Sequence, residues 1–532
     1  MRIRHLLAFL LCVVLFGSCH NSTLHVIATS DIHGDFYSYD FLNKKETEGG
    51  LARVSTWLKT CGISKNNLIY VDLGDILADT PVTFYDKTAN YQDKLAAATA
   101  TDFMKCSVSA FGNHDLEVGI SHYERFFMHL SHPVICANMT YDGLDDTYLP
   151  PYYIIKRKGK RIAFIGMLTT EVSEKIPGSV LSAFQVNNIQ QSAAFWAEYV
   201  RTKENPDAVI GLFHASLSEV IGTGISVPGF DAILYGHDHI PYIEKYETMY
   251  GEKDSIILAN PGNGGNNIVD LTLEFSKKEK PVVSAEMISM NGVGRDMAML
   301  EMSKSRIAEV SSYLDSVAGT FNTDVNTRNY LEGPTTYSDY VHTLLKLGTQ
   351  AKVSIAFHSV GNIDVPKGKV TMRDFFELFP YPNYISTVIF TPEQLRMILE
   401  YSISLFYNNS TRSLEEGYAG VEINRFLSIS GIDYVVDLSK PYGKRVKFLC
   451  YTGGEEIKET HKIRVAVDNY LINPSHGVIH GALGLSATDL RRMVMLDCAA
   501  DIRFLAVTQA CLAKDKGETV NIVKSDNWHV VK

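Results

Sequence analysis

The chain has 532 residues, of which 45% are hydrophobic and 21% charged, and its formal net charge is −10. This length and composition are typical of a globular protein with two or three domains. The negative charge argues against a protein that binds nucleic acid through a basic face. It does not exclude a small anionic substrate, because bound metal ions can supply local positive charge.

The first residues have the pattern of an export signal. Arg2 and Arg4 precede an apolar stretch that is too short for an ordinary transmembrane helix. The Gly-Ser-Cys that follows resembles the lipidation site of bacterial lipoproteins, with Cys19 as the lipidated residue. We therefore expect residues 1–19 to be a signal segment and the mature protein to be an exported lipoprotein. It would be periplasmic or at the cell surface, anchored to the outer membrane only through Cys19; ordinary signal cleavage, which would give a free soluble protein, is the alternative.

Between Leu24 and Leu273, short runs rich in Val and Ile alternate with helical or loop segments. The clearest runs are LHVIAT, NLIYVDLG, VSAFG, HPVICAN, RIAFIGML, AVIGLF, AILYG and SIILAN. Several are continuously apolar, as expected for strands buried on both faces. The alternation predicts an α/β layered domain, which we place at residues 20–300.

A helical pattern follows this first domain. Apolar residues recur at helical spacing at Ile307, Val310, Leu314 and Val317. Gly319 comes next as a stop signal, so we assign residues 301–320 to a helix that links two domains. The second domain, residues 321–532, has a predicted helix from Pro392 to Phe406 and strands within VKFLCY and IRVAVDNYL.

Polar side chains follow five of the apolar runs at the point where each run ends. They are Asp31 and His33, then Asp75, then Asn113 and His114, then His214, and finally His237 and His239. Any one of these has an ordinary explanation as a turn or surface residue. In layered α/β proteins, however, functional groups collect beyond the carboxyl ends of strands. Carboxylate, amide and imidazole ligands without a thiolate suit Zn, Mn, Fe or a related divalent ion in a non-structural site.

The series DxH, GD, GNH[DE], H and GHxH resembles the calcineurin-like metallophosphoesterases. The resemblance implies a four-layer β-sandwich flanked by helices and two divalent ions, with Zn, Mn, Co and Fe as candidates. It implies one ion held by Asp31, His33 and His239, and a second held by Asn113, His214 and His237. Asp75 would bridge the two ions. A pair of ions of this kind activates a water molecule for attack on phosphorus.

The same resemblance places His114 near the leaving-group oxygen, as a proton donor or charge stabiliser. Relatives carry an acidic partner for this imidazole three positions later. In this chain the motif reads GNHDLE, so Glu117 occupies that place and is expected to orient His114. Asp115 is the competing partner, although a structural role in the turn suits it better.

Residues 370–446 resemble the carboxy-terminal domain of the 5′-nucleotidase and UDP-sugar hydrolase family, through VTMRDFFELFPYPN, TPEQLRMILEYS and FLSISGIDYVVDLSKPYGKRV. The resemblance implies an α/β substrate domain that holds a nucleobase. Tyr381 would stack on that base; the alternative is that Tyr381 is a tyrosine packed in the core. Candidate substrate residues are Tyr381, Asn383 and Asp364. Ser359 and Asp364 stand where relatives have Asn and a substrate-binding Arg, and Val478 stands where they have a second aromatic.

The leading expectation is an exported two-metal phosphohydrolase whose substrate is a small phosphate ester, foremost a 5′-nucleotide. UDP-sugar diphosphatase, cyclic-nucleotide phosphodiesterase and non-nucleotide phosphatase activities are alternatives, because the predicted nucleoside pocket differs from that of relatives. A binding protein that has kept the metal site is the non-enzymatic alternative. We expect no nucleic-acid partner and a monomer or dimer.

Overall fold

The computed structural model describes residues 22–532 except for residues 79, 91–92, 176–180, 252–253, 277–279, 359–360 and 474–475. The predicted signal segment, with Cys19, lies outside the described residues. Within the described residues, no helix is long and apolar enough to cross a membrane.

The first domain contains two six-stranded sheets. In spatial order, the first sheet consists of Val282–Ser289, Asn267–Phe275, Ser22–Thr29, Leu68–Asp72, Val108–Ala110 and Val134–Ile135. The second sheet consists of Tyr242–Glu247, Ser255–Asn260, Ala232–Gly236, Ala208–His214, Lys160–Leu168 and Tyr152–Arg157. The central strands of each sheet are parallel, so their carboxyl ends lie along one edge. All eight runs predicted as strands are strands in the structure.

The two sheets pack face to face, and helices cover both outer faces. Val26 and Ala28 pack between the sheets with Phe164 and Leu212, whereas Ile27 points to the helices outside the first sheet. Alternate residues of a strand face opposite sides, so these runs are apolar throughout because both sides are buried. The predicted four-layer α/β fold is confirmed. Helices of this domain are Leu51–Thr60, Pro81–Thr88, Ala96–Met104, Asn113–Glu117, Ile120–His129, Val172–Lys175, Ile189–Tyr199 and Leu217–Ser226. A π-helical turn, Val200–Glu204, directly continues the helix Ile189–Tyr199.

The connection between the domains differs from the predicted helix 301–320. Two helices, Met297–Met302 and Lys304–Leu314, are followed by a strand, Val317–Phe321. Val317 continues the apolar spacing of the helix, but it pairs with Thr371 in a small antiparallel sheet. Tertiary pairing therefore overrides the local helical pattern and ends the helix early.

The second domain is built around a five-stranded sheet, in the order Leu427–Ser430, Val353–Phe357, Ile463–Asp468, Tyr384–Phe390 and Val494–Asp501. A three-stranded sheet comprises Val446–Tyr451, Ile432–Asp437 and Trp528–Val531. The helices of the second domain are Thr336–Thr349, Met372–Leu378, Pro392–Phe406, Asn469–Ile472, Val478–Leu483, Ala487–Arg492 and Ile502–Asp515. The helix predicted from Pro392 to Phe406 is present with those bounds.

The two domains share a packed interface. Phe84 of the first domain meets Phe376 of the second with ring centroids 5.3 Å apart. The buried Arg503 guanidinium lies 4.3 Å from the Phe376 ring centre and donates hydrogen bonds to the carbonyls of Phe379 and Pro380. Arg503 thus fixes the segment 379–380 that leads into the candidate substrate residues.

Replacing Arg503 with Met should destabilise the protein by about 2–4 kcal/mol, because it leaves two buried carbonyls without their charged donor. Thermal and urea unfolding would measure this loss. Arg328→Met is the matched control, since the Arg328 side chain is 65% exposed. A melting temperature for Arg503→Met equal to that of the control would contradict a structural role for Arg503.

Candidate metal centre

The predicted ligands lie on loops that follow strands of both sheets. Asp31 and Asp75 come after adjacent parallel strands of the first sheet, and Asn113 comes after the next one. His214 ends a strand of the second sheet, and His237 follows the strand beside it. The carboxyl edges of the two sheets therefore bring these side chains to one place.

Several of these residues have an unusual backbone. The φ angle is positive at Asp31, His33, Asp75, His237 and His239, with values of 51°, 47°, 57°, 99° and 60°. Non-glycine residues rarely adopt this left-handed region, and each instance costs of order 1 kcal/mol or more. Such strain is concentrated at sites where the direction of a side chain matters more than local stability.

The first group of ligands converges on one point. His33 Nε2 and His239 Nε2 lie 3.0 Å apart. Asp31 Oδ1 is 3.2 Å from His239 Nε2 and 3.9 Å from His33 Nε2. Two imidazole nitrogens and a carboxylate oxygen that converge in this way form a suitable set of donors for a divalent ion.

The second group lies beside the first and is more deeply buried. His214 Nε2 is 3.0 Å from Asp75 Oδ2 and 3.1 Å from Asn113 Oδ1. His237 Nδ1 lies 2.8 Å from the same amide oxygen. His214 Nδ1 donates a hydrogen bond to the Leu73 carbonyl, which directs Nε2 towards the other ligands.

Asp31 Oδ1 is the oxygen shared by both groups, since it also lies 4.0 Å from His214 Nε2. The resemblance implied Asp75 as the bridging carboxylate. Asp75 uses Oδ2 to contact His214, while its Oδ1 accepts a hydrogen bond of 2.7 Å from the His114 backbone N–H. The backbone of the Asn113–Glu117 helix therefore sets the direction of the second Asp75 oxygen.

Two glycines leave the space that these carboxylates occupy. A Cβ at Gly112 would lie 2.1 Å from Asp75 Oδ1. A Cβ at Gly236 would lie 1.8 Å from Ser30 Oγ and 2.7 Å from Asp31 Oδ2. Any other residue type at either position would have to displace the neighbouring carboxylate. The two converging groups of carboxylate and imidazole donors fit a pair of divalent ions.

The carboxylates and imidazoles of the site shift one another's pKa values. Burial is the largest single influence and raises the pKa of Asp31 and Asp75, but the surrounding histidines together outweigh it, so both pKa values are lowered. For Asp31 these histidines are His239, His214 and His33, and for Asp75 they are His214, His114 and His33. Burial alone would lower the pKa of His214, whereas the charges of Asp75 and Asp31 raise it to about 9. The carboxylates therefore stay ionised, as metal ligands must.

Asp115 supports the loops rather than the chemistry. Its carboxylate accepts backbone hydrogen bonds from Asp75, Ile76, Leu77 and Gly112 at 2.8–3.1 Å. These bonds tie the loop that carries Asp75 to the loop that carries Asn113. The structural role expected for Asp115 agrees with this position.

His114 and Glu117 form the predicted pair. His114 Nδ1 lies 2.6 Å from Glu117 Oε2, one turn along the short helix that starts at Asn113. The His114 ring is 5.2 Å from the His33 ring, so it borders the first ligand group. The bond to Glu117 fixes the ring orientation and places the proton on Nδ1.

A cavity of about 650 Å³ opens between the two domains beside these ligands. Tyr381 and Asn383 line it, together with His114, His237 and His239. The predicted substrate residue Asp364 does not line this cavity. It forms an exposed ion pair with Arg328 and borders a different cavity, because its strand Asp364–Val365 pairs with Val325–Asn326 away from the metal ligands.

Of the two other positions named in the substrate domain, the structure describes only Val478. Val478 is fully buried in the second-domain core, so it offers no surface to a ligand. Ser359 lies outside the described residues. The cavity instead contains residues that the sequence did not single out, namely Glu171, Asp238, Pro382, Tyr384, Asn469, Tyr470 and Asn473. The sequence offered one signal for the last three of these residues: DNYLIN, residues 468–473, places polar side chains directly after a buried strand.

Comparison with known proteins identifies both halves of the chain. Residues 24–241 match the calcineurin-like phosphoesterase family, and residues 308–480 match the 5′-nucleotidase C-terminal domain family. A 2′,3′-cyclic-nucleotide 2′-phosphodiesterase/3′-nucleotidase from Haemophilus influenzae is 23% identical over 494 residues, covering 79% of this chain and 73% of that protein.

Solved structures show the same two-domain fold. A 5′-nucleotidase precursor from Thermus thermophilus superimposes with a TM-score of 0.60 at 19% identity, covering 96% of this chain and 99% of that one. NAD nucleotidase from Haemophilus influenzae gives a TM-score of 0.62 at 15% identity, covering 96% and 100% of the two chains.

The sandwich and its ligand set thus define a calcineurin-like metallophosphoesterase, a class of hydrolases that use divalent metals to cleave phosphoric esters. The second domain makes the assignment more specific. The chain belongs to the two-domain 5′-nucleotidase family.

Metal titration should show two bound divalent ions per chain and a loss of binding when a shared or buried carboxylate is neutralised. Asp31→Asn and Asp75→Asn should each weaken binding at least tenfold, measured by calorimetry with Mn²⁺ or Co²⁺ on chelator-treated protein. Asp364→Asn, which neutralises an exposed carboxylate outside the site, is the matched control. Wild-type affinity in both ligand variants would show that the ions bind elsewhere.

Metal affinity should also rise with pH. His214 has a pKa of about 9 in the metal-free protein, so below that pH an ion must displace the proton from its imidazole. Each pH unit below about 9 therefore weakens binding by up to tenfold, and binding releases a proton. Calorimetry in buffers of different ionisation enthalpy would count the released protons, with the exposed His529→Gln as a control. Equal affinity at pH 6 and pH 8 would contradict this linkage.

Proposed function

We propose that this chain is an exported two-metal phosphohydrolase that releases phosphate from small nucleotides. The supporting observation is the convergence of the ligand side chains at one wall of a cavity whose opposite wall comes from the second domain. A substrate that fills this cavity would place its phosphate against the ligands and its alcohol part against Tyr381 and Asn383. The export part of the proposal rests on the pattern of residues 1–19.

Two divalent ions held by these residues would polarise the phosphate and lower the pKa of a bound water molecule. The chain itself contributes position and charge. Asp31 and Asp75 supply fixed negative charge, and the imidazoles complete the set from both sheets. The ligands come from two packed sheets, which hold them in fixed positions. Fixed positions matter because positioning and electrostatics account for most of phosphoryl-transfer catalysis.

His114 contributes to the departure of the alcohol. Its Nδ1 is held by Glu117, so Nε2 is the atom that would donate a proton or hydrogen bond to the leaving oxygen. Glu117 stabilises the positive charge on the imidazole while this happens. The ring lies at the cavity wall beside His33, close to where the ester oxygen would be.

A second candidate activity is hydrolysis of 2′,3′-cyclic nucleotides. Relatives from Haemophilus influenzae and Salmonella typhimurium, each 23% identical to this chain, are named 2′,3′-cyclic-nucleotide 2′-phosphodiesterase/3′-nucleotidase. The same metal chemistry serves a cyclic diester and a monoester, because both present one phosphorus atom to the same nucleophile. The position of the phosphate on the ribose is what distinguishes the two candidates.

Phosphate release from 5′-AMP, 3′-AMP and 2′,3′-cyclic AMP, measured with Mn²⁺, Co²⁺ or Zn²⁺, tests the proposal and ranks the candidates. His114→Asn should lower kcat by about 10²–10⁴-fold, since it removes a general acid, while two ions remain bound. Glu117→Gln should lower kcat less, because the imidazole remains in place.

Glu124→Gln is the control, as Glu124 lies on the next helix, outside the cavity lining. No turnover of any ester by wild-type protein with two bound ions would favour a binding protein over an enzyme. Full activity of His114→Asn would place the acid elsewhere.

A further inference from the structure

The wall that the second domain contributes to the interdomain cavity has no charged side chain. Among the described residues, that wall consists of Tyr381, Pro382, Asn383, Tyr384, Asn469, Tyr470 and Asn473. Amides, phenols and a proline can offer hydrogen bonds and ring faces, but none of them can neutralise an anion. We call these residues the neutral wall.

Contacts within the second domain hold the neutral wall in place. The Asn469 side-chain oxygen accepts a hydrogen bond of 2.9 Å from the Tyr384 backbone N–H. Tyr470 packs edge-on against His476 and Phe357, with ring centroids 5.2 Å and 5.9 Å away. Asn383 bonds through its side chain to the buried Asp468. The neutral wall is therefore built before a substrate arrives, which lowers the entropic cost of binding.

The facing wall adds negative rather than positive charge. Glu171 Oε2 lies 3.5 Å from His237 Nε2, and Asp238 accepts a hydrogen bond from the Leu217 backbone N–H. Glu117 lines the cavity as well and is paired with His114. Two metal ions held by the ligands would, together with the imidazoles, offset the charge of one phosphate group. No lysine or arginine is among the described lining residues to offset another.

Three cations outside the cavity lining have other partners. Arg503 and Lys87 border a smaller neighbouring cavity on the other side of Tyr384. The Arg503 guanidinium is buried against carbonyls, and Lys87 Nζ lies 3.9 Å from Asp501. Arg328 pairs with Asp364 outside the cavity.

We infer that the cavity selects esters with a single phosphate on an uncharged, hydrogen-bonding alcohol such as a nucleoside. It discriminates against diphosphates, dinucleotides and sugar nucleotides, which carry a second anionic group. This inference rests on the proposed phosphohydrolase function and narrows its substrate class.

The discrimination has an electrostatic cause. A second phosphate would leave water for a site with neutral donors and three carboxylates nearby, without a guanidinium to pair with it. Hydrogen bonds from amides to an anion are weaker than those from arginine, so they compensate only part of the lost hydration. A nucleoside, in contrast, matches the neutral wall with amide and hydroxyl contacts and a ring face for Tyr381 or Tyr470.

Phosphate release from AMP, ADP and UDP-glucose, with p-nitrophenyl phosphate as a reporter of the chemistry, tests this inference. For UDP-glucose, a phosphatase added after the reaction would convert the products to free phosphate. The expected kcat/KM for AMP exceeds those for ADP and UDP-glucose by at least tenfold. Equal kcat/KM values for AMP and ADP would overturn the inferred substrate class. Hydrolysis of p-nitrophenyl phosphate in the same preparation would still support the proposed function. No hydrolysis of p-nitrophenyl phosphate by metal-loaded protein would overturn both.

Introducing a positive charge into the neutral wall provides a second test of the inferred selectivity. Asn473→Arg should reduce the preference for AMP over ADP at least fivefold, and Asn291→Arg, an exposed position in the first domain, should leave the preference unchanged. Tyr381→Lys repeats the test at a side chain that is 60% exposed, in case Asn473→Arg does not fold. An unchanged preference in the folded variant would show that the neutral wall does not set the selectivity.

Discussion

Two buried carboxylates, Asp31 and Asp75, require the two sheets of the first domain to meet at one edge. Both are almost completely inaccessible to solvent, at 0% and 1% exposure, and both are ionised. Charges in such a position are unstable unless cations and hydrogen-bond donors surround them. The second sheet meets this need by bringing His214 and His237 to the edge at which the first sheet ends. The sandwich therefore brings carboxylates from the first sheet next to imidazoles from the second sheet.

This constraint explains features that otherwise look unfavourable. Left-handed backbone at Asp31 and Asp75 turns each carboxylate back over the end of its strand, and the strain is tolerated because the packed sheets determine the path of the chain. Gly112 and Gly236 lie where a side chain would collide with those carboxylates. Sequence motifs such as GNH and GHDH thus combine a ligand with the residue that leaves room for it.

The strands and the convergence of the candidate ligands could be predicted from the sequence because each ligand or ligand pair comes at the end of an apolar run. His114 and Glu117 could be paired because a helical turn separates them. Of the neutral wall, Tyr381 and Asn383 could be predicted through the resemblance, whereas Asn469 and Asn473 reach the cavity only through the packing of one domain on the other. The sequence places these two asparagines directly after a strand but does not show which cavity they border. Asp364 lies outside this cavity, because its position depends on strand pairing that no local pattern encodes.

The interface between the domains links the neutral wall to the candidate catalytic pair, His114 and Glu117. Tyr384 belongs to the neutral wall, and its hydroxyl donates a hydrogen bond to the backbone carbonyl of Glu117, which holds His114. Arg503 fixes the segment just before Tyr381 through two carbonyls. A substrate that presses on Tyr381 therefore contacts a segment tied to the core rather than a loose loop. The neutral wall and the proposed proton donor share this interface, so a change in the packing of one domain on the other would move both together.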